Sequence, residues 1–411
     1  MADGYNPGDI LIDTFTVSSD RGSLDLAKSF VSASIYESIF TPGIVGDIVV
    51  LDTDDQLGKL EISGDETVEI SFMAPGGESA NYIFALHALD DVKPTSGQKS
   101  KTYTLKVVSE EALYCKTNYV QKSFTTQISG MVQTIFTDYM MSEKNIEIEE
   151  TKGSQKVVIG HHNPYAAIDM IRRRAISNEN KSSAFVFFET RVDGEQTFKF
   201  VTIEKLFQGE IVKEFQQSDA INSSIMNQSD NNILAYEVPK QLSSTERISV
   251  GGKTRISSFD FRTHSYVTKD IDTDETQFKT GGTGSYNSST FKNKYFNPKI
   301  PTQAYVPIDT SQRAVTNIKE RTPDLQAFIA SLMQNSMKVR VYGDAILKAG
   351  DMVTANIPNK IATTGNGETD PLLSGDFLVS RIHHEIGTAG QRPRYTCVME
   401  LLKGNLEKGV A

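Results

Sequence analysis

The chain has 411 residues, 38% of them hydrophobic, and a formal net charge of −10 at pH 7. That length provides for roughly two to four domains with cores of their own, and the composition excludes bulk disorder. No apolar run approaches the roughly 20 residues of a membrane-spanning helix, and an acidic chain without a long basic run is not built to read nucleic-acid sequence.

The first residues, Met1 to Pro7, lack a basic start followed by an apolar stretch, so no secretory signal is expected. Residues 8 to 108 read as mostly β. Ile10, Ile12 and Phe15 to Val17 form a first strand, and Phe30, Val31, Ala33, Ile35 and Tyr36 roughly alternate with serines. Thr41-Pro42-Gly43 marks a turn before the apolar run Ile48 to Leu51. Val68, Ile70 and Phe72 alternate with polar residues, as do Tyr103, Leu105 and Val107. Short strands at this spacing predict an antiparallel barrel or sandwich.

Helical periodicity takes over near residue 110. Ile128, Met131, Val132, Ile135, Phe136 and Tyr139 follow the i, i+3, i+4, i+7 pattern of an amphipathic helix. A second helix starts at Asn163-Pro164, where asparagine caps and proline tolerates the first turn; it runs through Ala167, Ile168 and Ile171 to Arg172-Arg173-Arg174. Asp193-Gly194 between Phe185 to Phe188 and Phe198 to Val201 predicts a hairpin. From 208 to 320 the pattern weakens, with strands expected at Ile233 to Val238 and Ile256 to Phe261. The polar stretch Asp272 to Pro301, including Gly281-Gly282-Thr283-Gly284, reads as a long exposed loop. A helix is expected from Thr322-Pro323 to Leu332, and strands return at Val339 to Tyr342, Met352 to Ile357, Phe377 to Ile382 and Tyr395 to Leu401.

A short stretch of the chain occurs twice. Phe84, Thr95, Gly97, Gln98, Tyr103 and Thr104 return in order as Phe377, Thr388, Gly390, Gln391, Tyr395 and Thr396, at constant spacing until one residue drops out after Lys101. Each copy follows a Gly-Asp pair, Gly64-Asp65 and Gly350-Asp351. A doubled β-unit with a long insertion belongs to assembly proteins more than to enzymes, although six identities found by searching also arise by chance.

No catalytic, metal or cofactor constellation emerges. There is no phosphate-binding loop and no His-Glu-x-x-His helix. His161-His162 and His383-His384 are adjacent, so on a strand they face opposite ways and cannot easily share one metal; one exposed and one half-buried histidine are expected in each pair. Glu147 and Glu149 alternate with Ile146 and Ile148 and read as a solvated strand face beside Glu150, because nothing places a cleft over them. The three arginines at 172 to 174 complement a helix C-terminus, with a subunit contact as the alternative. Cys115 and Cys397 are too few for a disulfide framework and read as reduced thiols, Cys397 as a small core residue.

The strand-turn-strand from Ser34 through Thr41-Pro42-Gly43 to Asp52, the Gly64-Asp65 and Gly350-Asp351 strands, the helix entered at Asn163-Pro164 with Phe185-Val186-Phe187-Phe188 and its hairpin, and the C-terminal Ser374 to Glu385 resemble one family. It is the baseplate central hub of contractile phage tails, with relatives in type VI secretion spikes. The resemblance covers most of the chain except 208 to 320, and order of parts carries it more than any invariant residue.

The resemblance implies an α+β, mainly β fold with two tube-like antiparallel β-barrel domains and inserted α+β domains. The expected division is a first barrel at 1–110, an α+β insert at 111–207, second-barrel strands with an α+β and extended-loop region at 208–320, and a helix with the rest of the second barrel at 321–411. It implies no enzyme and no cofactor, but a homotrimer whose six similar units continue a sixfold tail tube and hold the central spike. Wedge and tape-measure proteins are further candidate partners. DNA would pass through the channel, since acidic walls keep a polyanion from sticking. The expected location is the virion baseplate, assembled in the host bacterial cytoplasm, with no stable membrane insertion. Ile44 and Val45 are the interface candidates, with a local core as the alternative. The chain ends at Gly409-Val410-Ala411 without an appended domain, so cell-wall cleavage is expected on another subunit. The competing readings are a receptor-binding module, disfavoured by the absence of tryptophan, and a cell-wall-degrading tail protein.

Overall fold

The computed structural model describes residues 7–60, 62–73, 77–95, 100–180, 182–217, 230–239, 253–260, 264–272, 303–308, 332, 336–359, 369–370, 373–389 and 392–403. A first group of strands is β1 (Leu11–Ser19), β2 (Gly22–Asp25), β3 (Phe30–Ser38), β4 (Val45–Asp52), β5 (Thr67–Met73), β6 (Ser79–Pro94) and β7 (Lys101–Val108), with the short helix α1 (Gln56–Leu60). An inserted region follows: α2 (Glu110–Thr117), β8 (Val120–Thr126), α3 (Ile128–Asp138), β9 (Asn145–Ile148), β10 (Gln155–His162), α4 (Pro164–Arg172), β11 (Phe185–Val192), β12 (Glu195–Thr202) and α5 (Ile203–Leu206). Then come β13 (Ile211–Gln216), β14 (Ile233–Glu237), β15 (Lys253–Asp260), β16 (Ser265–Asp272), β17 (Gln303–Ile308), β18 (Ser336–Tyr342), β19 (Met352–Asn356), β20 (Gly375–Ala389) and β21 (Arg392–Leu402).

The repeat is present, and it is larger than the sequence match. In the first unit the strand order is β3-β4-β7-β6-β5-β1; in the second it is β14-β18-β21-β20-β19-β13. Two irregularities recur at matching points. β6 bulges between Leu86 and Ala88, and β20 between Val379 and Arg381, which are their counterparts in the sequence match. β3 bulges between Phe30 and Ser32 against β4, and β14 between Ile233 and Ala235 against β18. A bulge adds one unpaired residue and bends its strand, so repeated bulges mark repeated geometry.

The register corrects two details of the sequence match. Leu86 faces Val107, whereas Val379 faces Leu401, two residues beyond the position that matching Tyr103 with Tyr395 assigns. A shift of two keeps every side chain on its face, which is why both tyrosines are buried. The counterpart of Asp351 is Glu66, not Asp65. Leu86 N–H donates to the Glu66 carbonyl and Val379 N–H to that of Asp351. Each carboxylate also accepts from the backbone three residues earlier, Ser63 and Lys348. Gly64 at φ +101° and Gly350 at φ +94° make the two turns, a conformation that strains any residue with a Cβ.

The two units are joined edge to edge. β20 pairs β19 over its first residues and, past the bulge, pairs antiparallel with β3, so that Arg381 lies opposite Ser38 and Gly387 opposite Ser32. One 13-stranded sheet results, and in the second unit an isolated parallel bridge from Gln216 to Asn232 brings the end of β13 to the start of β14. A single core lies beneath both units, with Phe15, Phe72 and Leu105 from one and Val339, Met399 and Leu401 from the other.

The insert has its own core. α3 buries Ile128, Met131, Val132, Ile135 and Phe136, as its periodicity predicts, and α4 buries Ala167, Ile168 and Ile171. The Asn163 side chain accepts from Ala166 N–H at 2.8 Å, with Pro164 opening the helix. Asp193 (φ +51°) and Gly194 (φ +82°) turn the β11–β12 hairpin, whose three-stranded sheet is completed by β9 running parallel to β12. That hairpin is a shared wall. Phe185, Phe187, Phe198 and Phe200 point into the insert's core, while Val186, Phe188 and Val201 point into the main one. Period-two alternation explains why the run reads as apolar throughout. A third small sheet, β16-β15-β17, lies in the region that the sequence left unclear. The loop expected after Asp272, its glycine run 281 to 284, and the helix expected from Thr322, apart from Leu332, lie outside the described residues.

Candidate functional site

Behind the β20–β3 junction lies a buried polar node. Glu37, on β3, falls on the inward parity of Ile35 and is 1% exposed. Its Oε1 accepts from Tyr82 Oη at 2.6 Å and from Arg191 Nε at 3.3 Å, and His384 Nε2 lies 3.7 Å away. Its Oε2 accepts from Ala349 N–H at 3.0 Å. Arg191, on β11, donates to the carbonyls of Ala345 (2.7 Å) and Leu347 (2.8 Å) and stacks over Tyr82. Both units and the insert thus meet at one ion pair whose donors and acceptors are matched, the condition under which a buried charge is tolerated.

The electrostatics follow from these contacts. Burial opposes ionisation of Glu37, but the charge of Arg191, the nearby His384 ring and the hydrogen bond from Tyr82 override it and hold the carboxyl down at about 2. Burial likewise disfavours the His384 cation, yet Cys397 and Glu37 beside it raise its pKa to about 9. Its Nδ1 lies 2.6 Å from Tyr395 Oη and 3.4 Å from Cys397 Sγ.

A second node ties the insert to the first unit. Lys144 bridges Glu111 (2.8 Å) and Glu189 (2.7 Å). Glu189 also accepts from Ser109 Oγ, from Ile44 N–H at 3.2 Å and from Gln196 Nε2 at 3.0 Å. Burial pushes the Glu189 carboxyl up, and Lys144 pulls against it.

The opposite face of the sheet is open and polar across both units. Arg340 pairs with Glu385, Arg381 with Glu400 at 2.9 Å, and Lys106 with Asp47 (3.4 Å) and Asp90 (3.7 Å). Tyr36 and His383 stack across the junction, with ring centroids 4.2 Å apart. Among the described residues these positive and negative groups alternate along the face. Beside the first unit, an open hollow of about 790 Å³ is rimmed by Asp13, Glu69, Glu110, Glu143 and Glu195.

The structure redistributes the residues singled out in the sequence. Ile44 is fully buried, its backbone held by Ser109 and Glu189, whereas Val45 is 45% exposed on the open face. Glu149 is not on a solvated face: β9 ends at Ile148, and Glu149 turns inward to accept from Thr202 N–H and Oγ1 at 2.7 and 2.9 Å. Glu147 stays at the surface and pairs with Lys199 and Lys205. His161 and His162 are both exposed, because β10 shifts register between Ile159 and His162 and His161 takes φ +52°, which breaks the alternation; His383 is half-buried and His384 fully buried. Arg172 and Arg173 hold Asp169 of their own helix. Cys397 is a core residue, as expected. Among the described residues no three His, Cys, Asp or Glu side chains are arranged to hold a metal, and no helix is long and apolar enough to cross a membrane. The Glu37 node was missed; a glutamate on the inward parity of an apolar strand is the signal that could have found it.

Known structures share this architecture. The tail protein from Neisseria meningitidis MC58 matches over 96% of this chain and 97% of its own, at 8% identity and a TM-score of 0.56. The fold is that of this tail protein. The 43 kDa tail protein of prophage MuSo2 from Shewanella oneidensis matches over 95% and 97% of the two chains at 10% identity and a TM-score of 0.48. An E. coli type VI secretion component, described as similar to T4 bacteriophage tail proteins gp27 and gp5, matches over 95% of this chain and 76% of its own at 8% identity and a TM-score of 0.48. No protein-family model matches the chain, and no curated protein matches it in sequence.

Proposed function

We propose that this chain is a structural hub of a tail baseplate or related injection apparatus. Three copies form a pseudo-sixfold ring between tail tube and central spike, and the ring's channel lets DNA or other cargo pass. One observation carries the reading: two units of the same strand order are joined edge to edge within one chain. A heterologous edge contact that repeats from unit to unit must close into a ring or grow into a filament. Six such units from three chains would match a sixfold tube at one end and a threefold spike at the other. The compensated open face suits a channel lining, since it offers a passing polyanion no basic patch to bind.

The chain works without chemistry in this reading. Its task is rigidity, supplied by the two buried nodes that lock the insert against the sheet. Wedge and tape-measure proteins are further partners, and the location is the virion, or the corresponding injection particle, assembled in the host cytoplasm. The acidic hollow gives a hydrolytic alternative a foothold, because paired carboxylates over a groove are what glycan cleavage needs.

Light scattering on the purified chain, with end-on particle averages, tests the hub. The expected result is three chain masses and a ring with an open centre. A chain that stays monomeric even with the spike protein sinks the hub, and clearing of a cell-wall suspension would move the assignment to the hydrolase.

A further inference from the structure

We infer that the second half of β6 pairs antiparallel with β14 of a second copy of this chain, with Lys93 opposite the partner's Glu237. This deepens the hub reading and rests on it for the number of chains; the edge assignment itself comes from the repeat.

β20 changes neighbour at its bulge. Before Val379 it pairs β19; after Arg381 it pairs β3. β6 follows the same course as far as the bulge: it pairs β5 from Ser79 to Ala85 and then bulges between Leu86 and Ala88. Beyond that point, among the described residues, no strand lies on its outer side. The counterpart of β3 is β14, which pairs β18; on its other side β13 reaches only the residues just before it, through the Gln216–Asn232 bridge and the Gln216 N–H to Asn231 carbonyl bond, and among the described residues no strand lies beside Ile233 to Glu237. One chain therefore holds one formed junction and the two halves of another. Bare strand edges are sticky, and a built-in partner is one way to satisfy them.

The register transfers residue by residue. His383 faces Tyr36 and Glu385 faces Ser34 in the formed junction. By ladder position against the neighbouring strands, Asp90 stands for His383 and Lys93 for Glu385, because β6 carries one more residue there, marked by a second irregularity between Asp90 and Lys93 and by Asp91 at φ +57°. On the other side Tyr236 stands for Ala33, so Glu237 stands for Ser34, Val238 for Ile35 and Pro239 for Tyr36. Asp90 then meets the partner's Pro239, which accepts but cannot donate. Asp91 and Val92 together meet the partner's Val238, and Lys93 meets the partner's Glu237.

The chemistry fits these placements. Lys93 and Glu237 are both exposed, and opposite charges directly across an antiparallel pair attract. Lys93 already holds Asp91 at 2.8 Å, so the partner's glutamate would complete an alternating-charge run rather than break one. Val92 is 51% exposed, and the pairing covers it with the partner's Val238. The contact is head-to-tail: one unit's β6 meets the other unit's β14, which is the polarity of the formed junction.

The test is a double-cysteine variant of the full chain, Lys93→Cys with Glu237→Cys, oxidised and run without reductant beside each single variant. Directly opposed residues have Cβ atoms about 4.5–5.5 Å apart, near what a disulfide spans. Cys115 and Cys397 are buried, so the background is low. The expected product is a covalent trimer from the double variant alone. As a second arm, Lys93→Glu weakens assembly about tenfold or more through three unfavourable contacts per ring, and adding Glu237→Lys restores it. A trimer by mass that never cross-links overturns this edge assignment and leaves the hub standing. Cross-linked ladders running past three confirm the edges and overturn the closed ring. A chain that neither associates nor cross-links overturns both.

Discussion

The two repeat units differ most at their edges. In the first unit β3 has nine residues and a covering strand; in the second, β14 has five and none among the described residues. β1 runs antiparallel to β5, while β13 runs parallel to β19, since the second unit is entered from the insert rather than from the terminus. What both units keep is register: the same strand order and the same two bulges. Side chains at matching positions are free to differ, because the geometry is carried by backbone pairing. The formed junction also has a buried ion pair behind it, Glu37 with Arg191. In the proposed assembly that pair would set the contact made within a chain apart from the one made between chains.

Breaking the pair tests this most directly. Arg191→Leu leaves Glu37 as an uncompensated buried charge and should cost about 3–5 kcal/mol in denaturant unfolding. Replacing both, Glu37→Gln with Arg191→Leu, should cost clearly less than that single change, since no naked charge remains. A double variant as damaged as the single one would mean that the carbonyls of Ala345 and Leu347, not Glu37, are what Arg191 serves.

The node also sets a pH window. The Glu37 carboxyl, held at about 2 against an ordinary 4.5, contributes stability above 4.5 that is lost as pH falls toward 2. His384, raised to about 9 from 6.5, contributes fully below 6.5 and loses its share as pH rises through 9. Thermal unfolding should therefore show the node at its strongest between about 4.5 and 6.5, and His384→Asn should flatten the alkaline limb while only shrinking the acid limb, because Arg191 and Tyr82 still hold Glu37 down.

How much of this was legible depended on distance along the chain. The Asn163 cap, the Asp193-Gly194 turn and the face of α3 are local, and the residues alone state them. The β11–β12 run announced burial but not its two-sidedness, because only the packed structure says that there are two cores. Glu37 and Arg191 are far apart in sequence, and no pattern links them; only the inward parity of Glu37 hinted at a buried partner. The repeat was visible through its first strand, then misread by two residues, because a slip of two preserves the alternation on which the match relied. The bulges that prove the repeat have no residue signature at all.

A carboxylate without a cation supplies the contrast. Burial pushes Glu204 up to about 7, with the nearby Ser182 hydroxyl offsetting only part of it and Glu149 adding to it. A carboxyl that binds its proton more tightly when folded favours the folded state at low pH, and that advantage fades between 4.5 and 7. Glu204→Gln should thus stabilise the chain by roughly 2–3 kcal/mol above pH 8 and do little at pH 4. A loss at pH 8 would mean that Glu204 has a charged partner in the assembled state.

The smallest effect is expected on the open face, and its smallness is informative. Arg381 is 54% exposed and meets Glu400 at 2.9 Å, a geometry as good as that of the buried pair. Exposed pairs nevertheless return only about 0–1 kcal/mol, because water already solvates both partners and the long side chains lose freedom on pairing. Arg381→Gln should therefore shift the unfolding midpoint by no more than an ordinary surface change. If the face lines a channel, the same substitution acts on charge balance instead, adding net negative character where cargo passes. A large loss of stability would show that the face is covered rather than open, and a covered face cannot be the lining of a channel.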